Sequence, residues 1–154
     1  MIGKVTRFLG RVLYAFMFIS SGLAKLQGFY ENSTKLAAML EPRLNTALRH
    51  LATLLSTEAF KVSKQNTELL LYITVFLELF GGVCFIFFPK AGSFLLMLYL
   101  LTVTPIMHDF YNQAPGSQAH VAEMIHFLKN LALLGSLFMV LGQPRIGQMK
   151  LKTS

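Results

Sequence analysis

The chain has 154 residues, 54% of them hydrophobic and only 14% charged, where soluble domains carry charge on about a quarter of their residues. That composition excludes a soluble globule, because the apolar excess needs lipid to face. The formal net charge of +7 points to membrane orientation, and nucleic acid is not expected as a partner.

The first apolar run covers residues 8–28 and is about the length that a bilayer core roughly 30 Å thick requires of a helix. Backbone groups in lipid are satisfied only within helices or closed barrels, and continuous Leu, Phe, Ile and Met lack the alternation of a barrel strand. Lys4 and Arg7 ahead of this run would also suit a cleaved leader. The run is nevertheless read as a span, since it holds Arg11 at its start and ends in Lys25 without a small-x-small cleavage pattern.

Residues 35–58 follow as the one sizeable polar stretch. Leu36, Met39, Leu40, Leu44, Leu48, Leu51 and Leu55 recur there at intervals of three and four, which predicts an amphipathic helix, with a break at Pro42. It either lies flat on the membrane with Arg43, Arg49 and His50 toward lipid phosphates, the preferred reading, or folds back over the bundle as a lid. Three further spans are predicted at 68–88, 91–110 and 121–142. The single cysteine, Cys84, falls inside the second span and can form neither an intramolecular disulfide nor a thiolate metal cluster. The expected architecture is an all-α integral membrane protein, a bundle of four transmembrane helices with an amphipathic helix between the first two, forming a single domain over 1–154.

Four spans place both termini and the Pro89-Lys90 turn on one side. That side collects Lys4, Arg7, Arg11, Lys90, Arg145, Lys150 and Lys152 and no acid, whereas Glu31, Glu41, Glu58, Glu68 and Glu123 balance the bases on the other. The positive-inside rule makes the basic side cytosolic in the endoplasmic reticulum, or matrix-facing in the mitochondrial inner membrane.

Charged residues inside apolar runs are costly and mark pairing or function. Lys25 lies near the outer end of span one, Glu78 midway in span two, His108 and Asp109 at the end of span three, and His126, Lys129 and Asn130 early in span four. Alternating span directions bring these residues toward the outer half, where they can converge on one polar pocket. Two readings stand side by side. Either Lys25 or Lys129 pairs with Glu78 or Asp109 to hold helices in register, or the pocket receives a quinone or lipid head group or a cargo peptide. His126 and Lys129 share a helix face. His108 and His126 meet the requirement for axial haem ligands only loosely. Ser20, Ser21, Gly22, Gly81, Gly82, Gly135 and Ser136 would let helices approach closely, and Pro105 should kink span three just before His108. No phosphate loop, nucleophile elbow or zinc-protease motif is present.

The segments Phe8-Leu-Gly-Arg11 through Phe18-Ile-Ser-Ser-Gly-Leu-Ala-Lys25, Leu77-Glu-Leu-Phe-Gly-Gly82, Thr104-Pro-Ile-Met-His-Asp-Phe-Tyr-Asn112 and Phe127-Leu-Lys-Asn-Leu-Ala-Leu-Leu-Gly135 resemble the DoxX-like superfamily, and most closely its HR-like lesion-inducing branch. The resemblance covers nearly the whole chain and implies a four-helix membrane fold, with Lys25, Glu78, Asp109, Lys129 and Asn130 as family-type polar positions. It implies no single activity: the superfamily includes a quinone-linked thiosulfate-oxidising subunit, partners of redox enzymes and early-secretory cargo receptors. The tail Lys150-Leu-Lys152-Thr-Ser154 also fits the dilysine pattern read by coatomer.

Three functions are therefore expected, in this order. The first is a non-enzymatic accessory subunit of a larger membrane complex, such as a respiratory assembly, with the bilayer and other membrane subunits as partners. The second is an early-secretory protein or cargo receptor retrieved through Lys150 and Lys152. The third is a quinone-linked redox subunit. No metal is expected, and a bound lipid or quinone is the only cofactor the sequence suggests.

Overall fold

The computed structural model describes residues 2–58 and 61–143. Arg145 and the sorting-tail residues Lys150 and Lys152 lie outside them. The described chain is helical almost throughout: α1 Ile2–Leu54, α2 Lys64–Phe87, α3 Pro89–Met107 and α4 Gln118–Gly142, with a single 3-10 turn at Phe110–Asn112. All four helices are long and apolar enough to cross a membrane.

α1 holds both the first span and the amphipathic segment, joined at a bend. Asn32 leaves the helical region (φ −168°, ψ 82°), and its Oδ1 accepts from Lys35 N at 2.9 Å. That is the geometry of an N-cap, in which an Asn side chain satisfies a donor that the first helical turn leaves open. A fresh helical arm, residues 33–54, thus starts at Asn32. The break expected at Pro42 does not occur. Pro42 lies inside the helix on its exposed side, where the hydrogen bond it cannot donate leaves the Ala38 carbonyl open to solvent contact.

The arm touches the bundle. Arg43 Nη1 donates to the Met107 carbonyl at 2.7 Å, and Asn45 exchanges two hydrogen bonds with the Val62 backbone. His50 Nε2 donates to Asn112 Oδ1 at 3.0 Å. These bonds fasten the arm to the ends of α2 and α3 farthest from the chain termini, called the outer end below.

α2 and α4 start at serine caps: Ser63 accepts from Asn66 N and Ser117 from His120 N. α2 turns into α3 through Phe88 with Pro89 at the first helical position, where its missing N–H costs nothing. A Cβ on Gly92 would fall on the Phe85 backbone, so only glycine permits this close crossing of α2 and α3. Gly22 lies against Leu79, Gly81 against Leu96, and Gly82 against Ile19. The common core consists of Ala15 and Phe18 from α1, Phe85 from α2, and Leu96, Met97, Tyr99 and Leu100 from α3, joined by Leu137 of α4.

α4 differs from the other three. It packs against α3 and the 3-10 turn, and Leu137 is its one buried residue. Tyr14 reaches it from α1, the hydroxyl donating to the Leu133 carbonyl at 2.7 Å. A Cβ at Gly135 would meet nothing within 4 Å, and Ser136 is exposed, bonded only to its own helix at Ala132. These two small residues were expected at a helix contact and instead face outward, because α4 turns its Leu133, Leu134 and Leu137 side to the core.

Candidate functional site

The polar residues of the spans form two separate groups. The single pocket expected from depth does not assemble, because residues at one depth can still point in different directions around the bundle. α4 lies beyond α3 from Lys25 and Glu78.

The first group ties three helices together. Glu78 of α2 is 2% exposed, and its Oε2 accepts from Lys25 Nζ of α1 at 2.7 Å. The same ammonium donates to the Tyr99 hydroxyl of α3 at 2.6 Å. Lys25 Nζ is also 5.1 Å from the Tyr99 ring centroid, but the short bond to oxygen puts the charge at the hydroxyl end of the ring, so the hydrogen bond is the stronger contact. Burying an ion is tolerated when its partner and further hydrogen bonds compensate, and removing one partner leaves an uncompensated charge. Gly22, one helical turn before Lys25, contributes by letting α2 approach: a Cβ there would stand 2.7 Å from Leu79 Cδ2 and 3.6 Å from Glu78 Cγ. The group is thus a charged pin through α1, α2 and α3. Tyr99 escaped the sequence reading, although a tyrosine in the middle of an apolar span, whose hydroxyl needs a partner when buried, was a usable signal.

The second group joins the arm, α3 and α4 at the outer end. His108 Nδ1 donates to Glu123 Oε2 at 2.9 Å, and Arg43 Nη1 is 3.6 Å from Glu123 Oε1. The sequence directs Arg43 toward lipid phosphates and counts Glu123 among the outer-side acids; their pairing depends on the bend at Asn32. The rings of His108 and His126 stack, with centroids 5.2 Å apart and 18° between planes. Rings lying face to face at that separation leave no room for a porphyrin between them, so the haem arrangement does not fit. Asp109 Oδ2 accepts from Asn112 Nδ2 at 3.3 Å, while Asp109 Oδ1 is buried without a partner among the described residues. Asn130 Nδ2 donates to Thr104 Oγ1 at 3.1 Å. Lys129 is exposed and forms no ion pair among the described residues, which also hold no cluster of three or more His, Cys, Asp or Glu suited to a metal. Pro105 lies inside α3, which ends at Met107 with His108 as its C-cap, and Tyr111 donates to the Pro105 carbonyl at 2.7 Å.

Four helices long and apolar enough to cross a membrane, three of them tied together by the Lys25, Glu78 and Tyr99 pin, define the class by its fold. Residues 3–143 match the HR-like lesion-inducing family, and the chain belongs to that family. No curated protein and no solved structure matches it.

Proposed function

We propose that this protein is a non-enzymatic accessory subunit of a larger membrane assembly, for example one in the mitochondrial inner membrane, with both termini on the matrix or cytosolic side, and that it belongs with the DoxX-like superfamily. The observation that carries this reading is the contrast on α4: one buried residue, two outward-facing small residues and a flanking apolar stripe of Leu128, Leu131, Phe138 and Met139, all exposed. Association between helices in lipid relies on close packing at small residues, because lipid tails are as apolar as leucine and supply no hydrophobic drive. A helix that keeps glycine and serine away from its own bundle is suited to another subunit. The Lys25, Glu78 and Tyr99 pin supports the same reading, since these side chains are engaged with one another and serve the fold.

Gentle detergent extraction of protein tagged in an internal loop, followed by native-gel separation and mass spectrometry of comigrating chains, tests the proposal. Recovery in a large assembly supports it, and recovery as a stable monomer contradicts it. A second reading, an early-secretory protein retrieved by coatomer, rests on the Lys150-Leu-Lys152-Thr-Ser154 tail. It predicts that replacing Lys150 and Lys152 by Ser releases the protein from the endoplasmic reticulum, and an unchanged location excludes it.

A further inference from the structure

We propose that the groove between the arm of α1 and the outer half of α3 holds one acyl chain of an anionic phospholipid, with the lipid phosphate seated on Arg49. The inference is independent of the accessory-subunit reading.

The groove measures about 690 Å³, within the range of small-molecule sites. Its walls are Leu44, Leu48 and Leu51 on the arm and Leu101, Pro105 and Ile106 on α3. Leu51 and Leu101 remain 51% and 53% exposed, so the walls stand apart and leave apolar surface open along a helical length of about 15 Å between residues 44 and 54. The α3 wall belongs to a helix long and apolar enough to cross a membrane, and in that setting the groove is reachable sideways from lipid.

A second cavity of about 310 Å³, lined by Thr46, Arg49, His50 and Thr53, shares His50 and Thr53 with the first. Its lining offers the Arg49 guanidinium and the Thr46 hydroxyl, with no carboxylate, while the Thr53 hydroxyl donates to the Arg49 carbonyl at 3.0 Å. Arg49 is exposed, donates to Thr46 Oγ1 at 3.2 Å and forms no ion pair among the described residues, so most of its five donors stay available. A planar guanidinium matches phosphate oxygens two at a time. His50 is held in place between Asn112 Oδ1 and the edge of the Tyr111 ring. An apolar trough flanked by a guanidinium without an ion pair among the described residues is complementary to an anionic amphiphile. A soluble anion would leave the trough empty, and a neutral hydrophobe would leave the guanidinium unused.

Native mass spectrometry of the full chain, released from micelles after incubation with phosphatidylglycerol or diacylglycerol of the same acyl chains, tests this. The expected result is one retained phosphatidylglycerol, at about tenfold higher occupancy than diacylglycerol, which lacks the phosphate, the factor that one charge-assisted contact supplies. Arg49→Gln should remove that preference and Arg49→Lys should keep part of it. Ala47→Phe, which narrows the trough, should lower retention of both lipids. Lys4→Glu changes charge at the opposite end and should alter nothing. Equal retention of the two lipids, insensitivity to Arg49→Gln, or an equal loss in Lys4→Glu would overturn the proposal. Each variant is compared at a melting temperature matched to wild type, and because Ala47→Phe acts on the trough and Arg49→Gln on the guanidinium, misfolding of either one leaves the other to decide.

Discussion

The three-helix core of α1, α2 and α3 and the fourth helix are built from similar residues but handle them in opposite ways. In the core, Gly22, Gly81, Gly82 and Gly92 sit where neighbouring side chains or backbone would crowd a Cβ, and Lys25 is paired with Glu78. On α4, Gly135 faces open space and Lys129 stays exposed without an ion pair among the described residues. The difference shows that apolar content does not say what a membrane helix packs against. The placement of its small and charged residues says it. The core is closed around its own charges, while α4 is attached along one side and free along the other.

The comparison is broken most forcefully at Glu78. Glu78→Ala leaves Lys25, whose side chain is 36% exposed, without its acidic partner and should cost about 3 kcal/mol, the low end for a broken buried pair, measured as loss of unfolding free energy in detergent. Replacing Lys25 and Glu78 together by Met should recover most of that loss, since a buried ion pair exchanged for apolar groups of similar size is often neutral. A cost below about 1 kcal/mol for the single change would show that the pin is not buried in the working protein.

Gly92→Ala tests the closeness of the core from another direction. Its new methyl meets the Phe85 backbone, which cannot rotate aside, and overpacking of this kind costs about 1–3 kcal/mol or more. Gly135→Ala is the matching change on α4 and should leave stability within about 1 kcal/mol of wild type, with any shift toward gain from helix propensity. Equal losses at the two glycines would erase the contrast. A smaller effect is expected at Asn32→Ala, about 1 kcal/mol for a lost cap. It should appear locally, as faster hydrogen exchange in the arm over residues 33–54 with the spans unchanged.

Much of the fold was legible in the sequence because hydropathy and length decide it: each of the four runs corresponds to a helix, with ends displaced by a few residues. The bend was misplaced from Asn32 to Pro42. Proline marks a lost hydrogen bond, but an exposed helix side tolerates that loss, whereas an asparagine cap redirects the chain by offering the backbone an alternative partner. The pairing of Lys25 with Glu78 was one of several open combinations, and depth alone could not choose among them. Depth follows from residue count. Which way α4 turns around the bundle follows from packing at Leu133, Leu134 and Leu137, and this put His126 and Lys129 away from Glu78. Arg43 was legible as a charge but not as a neighbour of Glu123, because the sequence did not reveal that the arm reaches the outer end of α3.

The most direct test of the central claim is site-specific photocrosslinking in native membranes, with the probe at Phe138 on the outward side of α4 or at Leu13 on the outward side of α1, both exposed in the isolated chain. The account predicts a defined protein adduct from position 138 and lipid adducts alone from position 13. Lipid adducts alone from both positions would contradict it, and α4 would then be a lipid-facing helix with no subunit beside it.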